Sequence, residues 1–224
     1  MYSIYIMLFQ GNVILEYLKR YNIHVNGVIH IGAHECEEKG FYNDILGVSD
    51  EHIIWIDANT KKVMEMKGKG FTNIYQAAID EEERDVVFNI TDNSQASGIL
   101  TLNHAAGFYN NINIVEQIQC RTEKLSNFLK RVEKDPSKHN FWNLDIQGTE
   151  LHVLRGSKEL LNQCDVIYTE VNQDYVYKGC GLIHELDTLL YEYGFKRVDT
   201  LWTTEKWGGR IVLKGIRYTH IINV

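Results

Sequence analysis

Carboxylates recur in this sequence where short apolar runs give out. Asp57 ends HIIWIDA, Asp80 follows QAAI, Asp145 ends NFWNLD with Gln147 two residues on, and Glu170 falls in DVIYTEV with Asn172 just beyond it. A carboxylate in such a place can accept both hydroxyls of a ribose, take a proton from an attacking hydroxyl, or cap the helix that follows. Four of them exceed what a core requires, because ionised side chains are rarely buried without a partner. Asp57 is the best placed, 25 residues after Gly32, a spacing that sets a strand-end carboxylate beside a nucleoside bound over a glycine turn.

The stretch VIHIGAHECEE (Val28 to Glu38) narrows the ligand. A dinucleotide wants G-x-G-x-x-G, so that its pyrophosphate can approach bare backbone at a helix N-terminus. After Gly32 this chain instead has Ala33, His34, Glu35, Cys36 and Glu37. Two acids there repel a pyrophosphate and suit an ammonium or a sulfonium. The residues thus point away from NAD and towards S-adenosylmethionine.

These residues need a scaffold that brings strand ends together. VIHIG, HIIWIDA and NIYQAAI (Asn73 to Ile79) are short β-branched or aromatic runs, and the first two are each followed by a polar segment of helical length. That order predicts parallel strands with right-handed crossovers. VVFNIT and NIVEQIQC alternate like strands, with DNSQASGIL (Asp92 to Leu100) between them, which predicts an antiparallel extension of the sheet or an elaborated loop. TEKLSNFLKRV predicts a helix capped by Thr122, TELHVLRGS a helix from Thr149, and LIHELDTLLYEYGF a helix ended by Gly194. KRVDTLW and RIVLKGI read as a closing hairpin. The sum is a three-layer α/β sandwich on about seven strands, parallel first and paired by a hairpin last.

Composition bounds the rest. A chain of 224 residues supports one domain with a substantial core. Its net charge of −7 gives no global field for nucleic acid or anionic lipid, so no nucleic-acid partner is expected. One proline and no Ser/Gly-rich tract argue against long linkers. Cys36, Cys120, Cys164 and Cys180 form no CxxC pair, which fits reduced thiols in a cytoplasmic setting. MYSIYIMLF lacks a basic flank and is too short to span a bilayer, so residues 1–26 read as a leader packed on the domain formed by 27–224.

From Val28 to about Gly215 the sequence resembles the FkbM-type S-adenosylmethionine-dependent methyltransferases. The resemblance is carried by GVIHIGAHECEEKGFY, IIWIDAN, QAAID, NSQASGIL, NLDIQGTELHVLRG, IYTEVNQDYVYKGC and GFKRVDTLWTTEKWG, in that order. It implies a class I methyltransferase fold: a Rossmann-like three-layer sandwich with a mostly parallel seven-stranded sheet and a reversed final strand. It further implies a cofactor site of His30, Gly32, Ala33, His34, Glu37, Asp57, Ala58, Ala78, Ile79 and Asp145. The acceptor implied is a hydroxyl of a sugar, glycan or related small molecule. The chain departs from the family pattern in four places: His30 stands for an acid, Cys36 for a glycine, Ala96 interrupts a run of serines, and Gly209 follows Gly208 where an acid is common.

Methyl transfer to an alcohol needs collinear donor and acceptor and a base for the hydroxyl proton. Asp145 is the first candidate, as base or as an orienting acceptor, and Glu170 the second; His34 and His104 rank below them. Asn93, Ser94, Ser97, Gln147, Asn172 and Tyr177 are the candidate acceptor-binding residues. Tyr175, Tyr177, Trp202 and Trp207 are aromatics able to stack on a sugar ring. Asp145 and Glu170 have the hard oxygens that suit magnesium, but no dense ligand cluster requires a metal, and none is expected. A nicotinamide-dependent oxidoreductase and a non-catalytic module that keeps the fold stand as alternatives.

Overall fold

The computed structural model describes residues 10–104, 111–202 and 207–214. Four strands form the centre because most of their residues are apolar: β1 (Val28–Ile31), β2 (Ile53–Asp57), β7 (Phe141–Leu144) and β8 (Val166–Asn172) are buried along their whole length. Both faces of such strands must be covered, which only a sheet between two helical layers achieves. With β3 (Ile74–Gln76), β9 (Phe195–Trp202) and β10 (Trp207–Lys214) they make one seven-stranded sheet in the order β3-β2-β1-β7-β8-β10-β9. All neighbours up to β8 are parallel, and β10 runs antiparallel to β8 and β9. This is the class I methyltransferase topology, with the last strand in the chain reversed.

Alternate residues feed two cores. Ile29, Ile31, Ile54, Ile56, Trp142 and Leu144 pack against α3 (Leu125–Arg131), α4 (Glu150–Gly156) and α5 (Ile183–Glu192). Val28, Ile53, Trp55 and Phe141 face the other way, onto α1 (Gly11–Arg20), α2 (Thr60–Gly68) and the turn Phe41–Ile45. Helix α1 contributes Ile14 and Leu18 to that core, so the chain is packed on the domain from Gly11 onward. The first nine residues of the expected leader, residues 203–206 between the last two strands, and Gly215 with Ile216 of the final run lie outside the described residues. Among the described residues, no helix is long and apolar enough to cross a membrane.

Four expectations change. NIYQAAI is not one strand: Ala77 gives its N–H to the Asp57 carbonyl at 3.1 Å, and the chain then leaves the main sheet as β4 (Ala78–Ile79). This two-residue strand joins β5 (Asp85–Thr91) and β6 (Ile114–Glu123) in a separate three-stranded sheet, so the middle segment is neither an extension of the main sheet nor only a loop. Thr122 belongs to β6 and does not cap α3; its hydroxyl donates to Glu82 and Arg84 carbonyls and accepts the Arg84 N–H. Finally, no α-helix follows β1 directly. His34 and Cys36 have φ of 44° and 55°, left-handed values that a right-handed helix cannot include.

Candidate active site

The carboxyl ends of β1, β2, β7 and β8 open into a cavity of about 260 Å³. Gly32 makes this geometry possible, since a Cβ there would lie 1.7 Å from the Asp145 carbonyl oxygen and its φ is +90°. β1 and β7 can therefore lie side by side with the turn of one against the end of the other. The second sheet roofs the cavity with Phe88 and the turn Asn93 to Ile99.

Asp57 is held on both oxygens. Its Oδ2 accepts the His34 N–H and its Oδ1 the Asn59 N–H, each at 2.7 Å. Burial raises its pKa, and these two bonds act against that rise. Asn59 in turn caps α2 through the N–H groups of Lys61 and Lys62. The carboxylate is thus a fixed, backbone-oriented acceptor at the end of β2.

The β7 and β8 ends differ. Gln147, itself left-handed at φ 55°, donates its Nε2 to Asp145 Oδ1 at 2.5 Å and to Glu170 Oε2 at 3.0 Å. Tyr177 gives its hydroxyl proton to the other end of the same amide, which fixes which way the amide points. Among the described residues no lysine or arginine lines the cavity beside the two acids. Burial pushes Asp145 up to about 6, with Glu37 and Asp57 adding to the rise and Gln147 and His34 opposing it. Burial, then Asp145 and Glu150, raise Glu170 well above the usual carboxylate range. Glu150 lies behind them, accepting the Ile146 and Gly148 N–H groups at 3.0 and 3.2 Å, and burial pushes it up to about 7. It holds the turn that presents Gln147.

On the β1 side, the His34 ring bridges Glu37 Oε1 and Ser94 Oγ, both at 2.8 Å. Burial opposes ionisation of Glu37, but the His34 ring and the Glu37 and Glu35 amides outweigh it, and its pKa is lowered. Glu35 turns outward to an ion pair with Lys62. Only one of the two acids expected at the ligand therefore faces it.

The structure brings Gly32, His34, Glu37, Asp57, Ala58, Ala78, Ile79, Asn93, Ser94, Ser97, Asp145, Gln147 and Glu170 to this one cavity. Four expected residues are placed elsewhere. Ala33 is buried, its N–H on the Ile56 carbonyl. His30 points into the core of Tyr42 and Trp55 because alternate residues of β1 face opposite layers, and burial lowers its pKa to about 3, so the ring is neutral. Tyr177 is buried behind Gln147 and reaches the site only through it. Asn172 is buried beyond the cavity wall, with neither amide atom hydrogen-bonded. His104 and Tyr175 are exposed away from the cavity, and the side chains of Trp202 and Trp207 lie outside the described residues. Sequence reasoning missed Glu38, Asn59, Phe88 and Ile99 on the cavity wall.

Five carboxylates line the cavity, Glu37, Glu38, Asp57, Asp145 and Glu170, and among the described residues no lysine or arginine does. Among the described residues no group of three or more His, Cys, Asp or Glu side chains is arranged to hold a metal ion. Such a lining accepts a cationic ligand and rejects a pyrophosphate.

A family model described as "Methyltransferase FkbM domain" matches residues 26–197. No curated protein matches the chain. Among solved structures it is similar to magnesium protoporphyrin IX methyltransferase from Synechocystis PCC 6803 with bound SAM, at 10% identity over 91% of this chain and 77% of that one, with a TM-score of 0.41. It is also similar to a putative RNA methyltransferase from Pyrococcus horikoshii, at 11% identity over 92% and 84%, with a TM-score of 0.40. Likenesses at this level add nothing to what the strand order already shows.

Proposed function

The chain belongs to the FkbM methyltransferase family, and on that premise we propose that it transfers a methyl group from S-adenosylmethionine to a hydroxyl of a sugar, glycan or related small molecule. The observation that supports the cofactor reading is the cavity's lining of five carboxylates, with no lysine or arginine among the described residues. Asp57, with both oxygens oriented by backbone amides, would hold the ribose hydroxyls, and Ala78 and Ile79 would flank the adenine. When bound there, the cofactor supplies a methyl group on a positively charged sulfur, which the acceptor oxygen displaces.

The chain's own part is orientation and proton transfer. Asp145 Oδ1 is occupied by Gln147, which leaves Oδ2 to take the acceptor's hydroxyl proton as the new bond to the methyl carbon forms. A base near pKa 6 is ionised at neutral pH and still basic enough to take that proton. Glu170, held well above the usual carboxylate range by burial and then by its two acidic neighbours, would hydrogen-bond the acceptor beside Asp145. The Asn93 to Ser97 turn closes the acceptor side. A neutral polyol suits this surface, whereas a phosphorylated or carboxylated acceptor would be repelled by it.

No observation favours the nicotinamide reading, since its pyrophosphate would sit over Gly32 among Glu37, Glu38 and Asp57 with no lysine or arginine among the described lining residues to meet it. Calorimetric titration separates the two. Micromolar binding of S-adenosylhomocysteine and none of NAD is expected; binding of NAD alone would sink the proposal. A panel of hydroxylated glycans scored by mass spectrometry for a methyl gain then tests the acceptor class.

A further inference from the structure

Asp145 and Glu170 stand at the ends of neighbouring parallel strands and draw on a single donor. Gln147 Nε2 bonds Asp145 Oδ1 and Glu170 Oε2 together, which puts both acids within reach of one small group. The amide is fixed in this sense, because the Tyr177 hydroxyl holds its oxygen. Glu170 is only 9% exposed and lines the cavity. Its other oxygen, Oε1, accepts no bond among the described residues, and it is not sealed from solvent as the unmet amide atoms of Asn172 are. β8 is flanked by β7 and β10, so the open side of this oxygen is the cavity. A carboxylate nine-tenths buried, half-bonded and with no lysine or arginine among the described lining residues is one that a ligand completes.

We propose that the methyl acceptor is an amino sugar, with its ammonium seated on Glu170 Oε1 and the neighbouring hydroxyl presented to Asp145 Oδ2; this rests on the acceptor reading above and deepens it. A neutral polyol can fill the hydrogen bond at Oε1, but it leaves two close acids with one neutral donor between them. An ammonium gives its N–H groups to Oε1 and attracts both acids at once. The cofactor's own charge is no substitute, since a sulfonium has no N–H to give. Two acids are too few ligands for a divalent metal ion, and among the described residues no third is arranged to join them. Burial, then Asp145 and Glu150, hold Glu170 well above the usual carboxylate range, so the site supports its charge poorly until a cation arrives. The reaction remains O-methylation. The hydroxyl oxygen takes the methyl group from sulfur, Asp145 takes the hydroxyl proton, and the ammonium, with no lone pair, is spared.

The test is a cycle between protein and acceptor. Glucosamine, galactosamine and mannosamine, each beside its N-acetyl form and its parent hexose, are titrated by NMR into the protein loaded with S-adenosylhomocysteine. At least one amine should bind the wild type about 10- to 100-fold more tightly than both of its neutral partners, the range of a hydrogen bond to a charged group. In Glu170→Gln, which keeps an oxygen for Gln147 and offers no charge, that preference should largely collapse. Equal binding within every trio, a preference that survives the substitution, or no binding of any amine to the loaded protein overturns the assignment. The wild-type comparison decides the matter even where Glu170→Gln does not fold. With S-adenosylmethionine, the preferred amine should gain one methyl on oxygen, located by fragmentation in the mass spectrometer; a methyl on nitrogen overturns the seating. Methylation of the neutral hexoses alone overturns the ammonium site and leaves the hydroxyl reading intact, whereas a wild type that binds no S-adenosylhomocysteine overturns the cofactor reading itself.

Discussion

The two sides of the cavity treat their carboxylates in opposite ways. At the end of β2, Asp57 is gripped by two backbone N–H groups, and its position and charge are set by the chain itself. At the ends of β7 and β8, Asp145 and Glu170 share one neutral amide nitrogen, and Glu150 lies behind them. Backbone amides stabilise a carboxylate in its charged form, whereas a crowd of acids sharing an amide leaves a proton that can move. The first arrangement suits holding a ligand, the second moving a proton.

The largest effects expected separate those two tasks. Asp145→Asn should lower kcat by about 10²- to 10⁴-fold, the contribution typical of a general base, with S-adenosylhomocysteine affinity nearly unchanged. Asp57→Asn should do the reverse, weakening S-adenosylhomocysteine by about 10- to 100-fold with a much smaller change in kcat at saturation. In the wild type, kcat should fall as pH drops through about 6, where Asp145 takes up its proton. If both variants lose binding and turnover alike, the division of labour between the two sides is wrong.

A smaller effect tests the cost of the acidic cluster. Glu150 has its folded pKa pushed up to about 7, above its ordinary 4.5, so the folded state binds more protons than the unfolded one across that window. Its contribution to stability is therefore intact below about pH 4.5 and declines as pH rises through 7. Glu150→Gln keeps an oxygen for the Ile146 and Gly148 N–H groups and removes the titration. Melting curves should show the variant equal to the wild type near pH 4.5 and more stable than it at pH 8. A difference independent of pH would show that Glu150 acts only as an acceptor for the turn.

What the sequence made legible follows the same divide. Asp57 and Asp145 could be read because each ends an apolar run, and a strand's end is marked by where its hydrophobic residues stop. The parallel sheet and the closing hairpin were readable for the same reason. The split of NIYQAAI was not, because the run is continuous and its break comes where Ala78 and Ile79 pair with Thr122 and Glu123 of β6, partners far away in the chain. Thr122 has the right residue type to cap a helix, and its burial in β6 depends on contacts with Glu82 and Arg84 that no local pattern announces. Glu38 and Phe88 reach the cavity only through the path of a turn and of a second sheet. Three of the five non-glycine residues with positive φ among the described residues, His34, Cys36 and Gln147, lie in the turns that build the site. Left-handed backbone at residues other than glycine leaves little trace in a sequence, and its clustering here fits the rule that strain gathers at functional positions.

Cys36 gives this last point its sharpest test and the smallest expected effect. The resemblance places a glycine at this position, and φ of 55° gives the reason: the backbone takes a conformation that costs a residue with a Cβ roughly 1–2 kcal/mol. The thiol is 2% exposed, and burial raises its pKa, so it is a small apolar filler with no thiolate to offer. Cys36→Gly relieves the strain but loses that packing and adds roughly 0.5–1 kcal/mol of backbone entropy to the unfolded state. The terms nearly cancel, so its melting temperature should stay close to that of the wild type. Cys36→Val keeps the bulk and adds a β-branch that the left-handed region tolerates poorly, and it should melt clearly lower. If valine is accepted as well as glycine, the turn is not held in its left-handed form, and the β1 side of the cavity, Glu38 included, is free to rearrange when a ligand arrives.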